Sequence, residues 1–210
     1  MSMDLRTELG AKADPDYELE LPRGWVRSHP DEHALKHMLT VLRDRTQRAH
    51  LPEAYVQVKK LLEDSFAQMR QHAVTDVFMP GTEGAGTLYL PASMTGSVVH
   101  ATPEQTLEQL VHGMVRDLGA RPLRGDTRIV RMAQERRMRI FDATLMNHTI
   151  TYLTPIPGTK RRRALRLVAS FGHLPELPDY DSQVRVLQEL FDSCAASLRW
   201  KPAGQGAPGK

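Results

Sequence analysis

Residues 128–171 read RIVRMAQERRMRIFDATLMNHTITYLTPIPGTKRRRALRLVASF, and this stretch decides the fold. Leu165, Leu167, Ala169 and Phe171 alternate with Arg166, Val168 and Ser170, the period of a strand with one buried face. Pro155-Ile156-Pro157-Gly158-Thr159-Lys160 turns the chain in front of it. Residues 139–153 predict a long strand and 128–133 a shorter one, with Glu135-Arg136-Arg137 as the turn between them. The apolar parity of the long strand drifts from Phe141 and Leu145 to Ile150 and Tyr152, which predicts a β-bulge near Asn147-His148. Three consecutive strands joined by short turns pair antiparallel, because a parallel pair needs a long crossover.

Moving towards the N-terminus, Thr102-Pro103-Glu104-Gln105 reads as a capping box opening a helix. Leu107, Leu110, Val111, Met114, Val115 and Leu118 form its buried face, and Gly119 ends it. Short strands are expected at 73–79, 87–90 and 97–101, with the glycine-rich turn 80–86 after the first and Pro91 and Gly96 between the others. Earlier still, Leu35, Met38, Leu39 and Leu42, then Tyr55, Val58, Leu62, Phe66 and Met69, repeat at helical spacing. They predict a helical hairpin over 31–72, with Pro52 at a first-turn position. Tyr17–Leu21 alternates as a strand, and Trp25 is expected over the core edge. On the C-terminal side, a helix from Asp181 to Trp200 buries Val184, Leu187, Leu190, Phe191, Cys194 and Leu198. The expectation is an α+β domain over 17–200: an antiparallel sheet of about six strands, helices packed on both faces, and an N-terminal helical hairpin insertion. Residues 1–16 and 201–210 are expected to be flexible ends.

The chain has 210 residues, a net charge of +3 and 40% hydrophobic residues, the balance of a chain with one packed core. A single cysteine, Cys194, rules out an internal disulfide or a cysteine-based zinc cluster. No apolar run reaches the roughly 18 residues that a membrane helix needs. With no signal-peptide pattern either, the expectation is a cytoplasmic protein.

Candidate chemistry falls at few places. Lys160-Arg161-Arg162-Arg163 is the dense basic run, at a hairpin tip. Arginine forks bind phosphate oxygens, so the run is a candidate site for an anionic partner: nucleic acid, lipid headgroup or acidic protein. Arg131, Arg136, Arg137 and Arg139 are expected near it if the three strands pair in order. The competing reading is a polar turn that keeps a sheet edge from aggregating. His29, His33 and His37 are spaced by four. On one helix the outer pair lies about 12 Å apart, so only neighbours such as His33 and His37 can share a metal ion. A solvated helix face competes with that reading. Asn147 and His148, beside the expected bulge, are candidates for the lining of a pocket between sheet and helices. No G-x-S-x-G elbow, H-E-x-x-H or phosphate-loop motif is present, and Cys194 lies on an apolar stripe, so no catalytic residue and no cofactor are assigned.

Two segments carry a resemblance: Leu21-Pro22-Arg23-Gly24-Trp25 after the opening strand, and Ala195-Ala196-Ser197-Leu198-Arg199-Trp200 closing the last helix. Across 17–200 the order of elements resembles actinobacterial proteins of the PsbP-like α/β/α sandwich fold, which includes LpqN-type lipoproteins. The lipoproteins' N-terminal cysteine has no counterpart here. The resemblance implies a non-enzymatic binding or accessory protein, in the setting of a type VII secretion locus. Such a protein would act through a protein partner, with Arg43, Arg45, Arg48, Lys59 and Lys60 of the hairpin meeting an acidic helix. The alternative is a small-molecule-binding protein or enzyme using a sheet–helix pocket.

Overall fold

The computed structural model describes residues 14–48, 50, 52–81, 92–140, 143–173, 175 and 180–201. The expected strand at 87–90, most of the glycine-rich turn, and residues 1–13 and 202–210 of the expected flexible ends lie outside these. The elements in chain order are β1 (Tyr17–Glu18), β2 (Trp25–Ser28), α1 (Glu32–Arg48), α2 (Pro52–Gln71), β3 (Val74–Pro80), β4 (Ala92–His100), α3 (Leu107–Leu118), β5 (Arg121–Leu123), β6 (Asp126–Ile140), β7 (Ala143–Pro155), β8 (Arg163–His173), α4 (Tyr180–Ala196) and β9 (Arg199–Trp200). Seven strands form one antiparallel sheet in the order β2-β3-β4-β8-β7-β6-β5, and β1 pairs separately with β9. The α+β architecture read from the sequence is therefore the observed one.

One face of the sheet carries the main core. Ile150, Tyr152, Leu165, Leu167, Ala169 and Phe171 from β7 and β8 pack with Met94, Phe78 and Trp25 against Phe191, Cys194 and Ala195 of α4. The opposite face carries a smaller cluster, in which Leu107 and Met114 of α3 meet Met132, Leu153 and Ala164. Helices thus cover both faces, because neighbouring strand residues point to opposite sides. The α1–α2 hairpin is more loosely attached. No described residue of α1 is buried, and in α2 only Phe66 is.

Several local expectations are corrected. The run Glu135-Arg136-Arg137 is strand, not turn: β6 and β7 stay paired from Val130↔Leu153 out to Ile140↔Ala143. Polar residues fit there because this half of β6 is exposed rather than covered by a helix. No bulge occurs at Asn147-His148, since the register with both neighbours is continuous. The parity drifts because Leu145 lies on the α3 side whereas Ile150 and Tyr152 face α4. The capping box is Thr106 with Gln109, one turn later than expected. The sequence holds two Thr-x-x-Gln tetrads, and Thr102 with Gln105 closes a separate turn through bonds of 3.0 and 3.1 Å. Gly119 does end the helix in the left-handed conformation, at φ 66°. Gly96 lies inside β4, because a Cβ there would overlap the Tyr17 hydroxyl and press on the Asp76 side chain at 3.3 Å. The last helix stops at Ala196, and Trp200 belongs to β9.

Candidate functional site

The basic run does not act as one patch. Arg163 opens β8, and its Nη1 donates to Asp14 Oδ2 at 2.7 Å. Lys160 and Arg162 are exposed. Arg161 leans back towards α3, with Nη1 3.5 Å from Glu108 Oε1. The loop is built on Thr159, whose hydroxyl donates to the Ile156 carbonyl at 2.7 Å and whose own carbonyl accepts from the Arg162 N–H at 3.0 Å. Lys160 and Arg161 both adopt positive φ, 50° and 57°. Two successive non-glycine residues there hold local strain of the kind that gathers at binding loops.

Arg136, Arg137 and Arg139 do not join this loop. They lie towards the β6–β7 end of the ribbon, whereas the β7–β8 turn is at the opposite end of the sheet. Arg131 is a structural residue instead. Its Nε donates to Asp192 Oδ1 and Oδ2 at 2.8 and 3.0 Å, and Tyr152 donates to the same carboxylate at 2.6 Å. Burial, joined by the bond to Asp192, pushes the Tyr152 phenol well above its usual range. Together these side chains lock α4 to the sheet.

Beside Arg161 a cavity of about 580 Å³ opens between α3 and the sheet, within the size range of small-molecule sites. Leu107, Val111, Val130, Leu153 and Ala164 give it an apolar floor, and Trp200 of β9 adds an aromatic wall. Its polar lining comes from Glu108 and His112 on α3, Thr127 and Arg128 on β6, and Arg161 on the loop. Glu108 and His112 are four apart on one helix, so both reach the same side. Arg128 is held by Asp126 through contacts of 2.8–3.2 Å. Hydrogen bonds from the side chain and backbone of Arg128 hold the Asp126 carboxyl down at about 2. The arrangement can hold an apolar body with a negatively charged end at Arg161, where a bound anion would compete with Glu108 for the guanidinium.

The remaining candidates stand apart from this cavity. Asn147 and His148, adjacent on an unbroken strand, point to opposite faces, and neither lines it. Asn147 bonds Thr149 and Ser170, whereas His148 faces the α4 side. His33 and His37 are exposed on α1. His29 precedes that helix, with Nδ1 2.7 Å from the Thr75 carbonyl oxygen. No group of three or more His, Cys, Asp or Glu among the described residues has metal-holding geometry. Cys194 is buried, and burial pushes its thiol up to about 11, so it is a poor nucleophile in the folded protein.

Sequence reasoning missed Glu108, His112, Arg128 and Trp200 as cavity residues. The one local signal is the polar i, i+4 pair Glu108 and His112 next to the apolar stripe of α3, and that pattern equally fits a solvated helix edge; Arg128 and Trp200, on β6 and β9, carry no such signal. The chain matches no protein-family model and no curated protein. Among the described residues no helix is long and apolar enough to cross a membrane.

Proposed function

We propose that this is a binding protein for an amphipathic anion, a molecule with an apolar body and a carboxylate or phosphate end. The observation that carries the reading is the coincidence of the apolar cavity with a strained basic loop: Arg161 lines the cavity, and its loop neighbours Lys160 and Arg162 are exposed. This joins the sequence-derived anion site to the alternative of a sheet–helix pocket. Dodecanoate is a suitable probe, titrated calorimetrically beside dodecyltrimethylammonium, which has the same tail and the opposite charge. Dodecanoate is expected to bind more tightly than the cation. Arg161→Ala should weaken it about tenfold, the loss of one charge-assisted hydrogen bond, and Val111→Trp should abolish it by filling the floor. Equal binding of the two probes, or full binding by a folded Val111→Trp variant, would refute the reading.

A second reading rests on the hairpin. Val56 is 66% exposed, Leu61 is exposed, and no described residue of α1 is buried. This supports a protein-binding accessory role of the kind implied by the PsbP-like resemblance and its type VII secretion setting. Retention of a specific host protein by the wild type, and its loss with Val56→Asp and Leu61→Asp, is the outcome this reading requires.

A further inference from the structure

His148 lies on β7 at 4% exposure, on the face that carries α4. Its register partner on β8 is Phe171, and the two rings stack at 5.0 Å with 13° between their planes. Two residues farther along β8, on the same face, comes His173. The two imidazoles meet with Nε2 3.2 Å from Nε2, their ring centroids 5.3 Å apart. Two ring nitrogens this close share a single hydrogen or a single cation, because protonating both would set two N–H groups against each other.

The separation suits a cation. A tetrahedral ion bound at 2.0–2.1 Å to two imidazoles holds their nitrogens about 3.3 Å apart. A carboxylate stands behind the first ring: Glu135, the register partner of His148 on β6, has Oε2 4.0 Å from Nδ1. At that distance Glu135 makes no hydrogen bond to the ring, but its negative charge favours the tautomer with the hydrogen on Nδ1 and the Nε2 lone pair towards the ion. Both ligands sit on paired central strands, so their spacing is fixed before any ion arrives.

We propose that His148 and His173 form a two-imidazole site for a divalent transition-metal ion, with Glu135 positioning His148. Two nitrogen donors favour copper, nickel and zinc over calcium and magnesium, which prefer oxygen. The site is separate from the anion cavity and does not depend on it.

The test uses the tag-free full chain and Ni²⁺ as the probe, by calorimetry and by thermal unfolding with and without the ion. His173 is only half-buried, so His173→Ala is the informative variant, and near-UV circular dichroism confirms that it is folded. Wild type and the double variant His33→Ala, His37→Ala should bind one ion alike and melt at a higher temperature with it. His173→Ala should lose at least tenfold in affinity and show no ion-dependent shift. Glu135→Gln should bind severalfold more weakly with an unchanged stoichiometry of one. Unchanged affinity in folded His173→Ala, or a loss that follows the His33, His37 variant instead, would overturn the proposal.

Discussion

The two faces of the sheet are built to different standards. On the α4 side Phe78, Met94, Ile150, Tyr152, Leu165, Leu167 and Phe171 are buried, and the two buried carboxylates Asp76 and Asp192 each accept from several donors. Asp76, 2% exposed, accepts from Tyr17 at 2.9 Å, Arg27 at 2.7 Å and Thr75 at 2.8 Å. Asp192 accepts from Arg131 and Tyr152. On the α3 side the three-turn helix α3 leaves Val115 and Leu118 exposed and borders a cavity. One face is filled and holds the molecule together. The other is left with room, and room costs packing energy unless something occupies it.

The sharpest way to break this contrast is to remove a carboxylate from the filled face. Asp192→Ala strands a partly buried guanidinium and a buried phenol, and should cost about 3–5 kcal/mol in urea unfolding. A loss below about 1 kcal/mol would show that the α4 side is no tighter than the other. Next in size is Gly96→Ala, whose Cβ meets the Tyr17 hydroxyl. It should cost about 1–3 kcal/mol, as overpacking does. Part of that loss should return in the double variant with Tyr17→Phe, which removes the obstructing oxygen, and strictly additive losses would exclude the clash. The smallest effect is electrostatic. Burial works against the Asp16 carboxylate, but the hydrogen bond from Arg27 at 2.8 Å, the Tyr17 backbone and the nearby Lys201 hold its pKa below 3.8. The folded state therefore binds the proton less readily than the unfolded one. The resulting stability is complete above 3.8 and is lost as pH falls through the folded value. Thermal midpoints of wild type and Asp16→Asn should differ slightly at neutral pH and converge in acid. A gap that persists at low pH would assign the effect to packing.

Legibility in the sequence followed locality. The helical stripes of α1 and α2, the left-handed Gly119 and the alternation of β8 are decided by neighbours within a few residues, and each was readable; the α3 stripe was read too wide, since Leu107 and Met114 are buried but Val115 and Leu118, expected on the buried face, are exposed. The turn at Glu135-Arg136-Arg137 was misplaced because a strand that leaves the covered part of a sheet becomes polar, as a turn does. Thr102 and Thr106 offered equivalent caps, and only packing of Leu107 in the α3 cluster separates them. The carboxylate networks, the cavity and the His148–His173 pair depend on register between distant strands. His148 was singled out through a bulge that is absent, and its partner His173 went unnoticed because pairing across β7 and β8 places it diagonally. Arg161 was legible as a charge but not as a cavity residue, since nothing local says that α3 lies opposite.

The pairing of β1 with β9 has a mechanical side. Tyr17 lies opposite Trp200 and Glu18 opposite Arg199, running antiparallel, and the Lys201 N–H donates to the Asp16 carbonyl at 2.7 Å. A pull on the segments before Tyr17 and after Trp200 loads these bonds one after another, as a zipper opens, rather than together in shear. An unfolding motor gripping either end would therefore meet little resistance at first. As β1 peeled away it would carry off the Tyr17 hydroxyl and uncover Asp76, admitting water to the filled face from its edge.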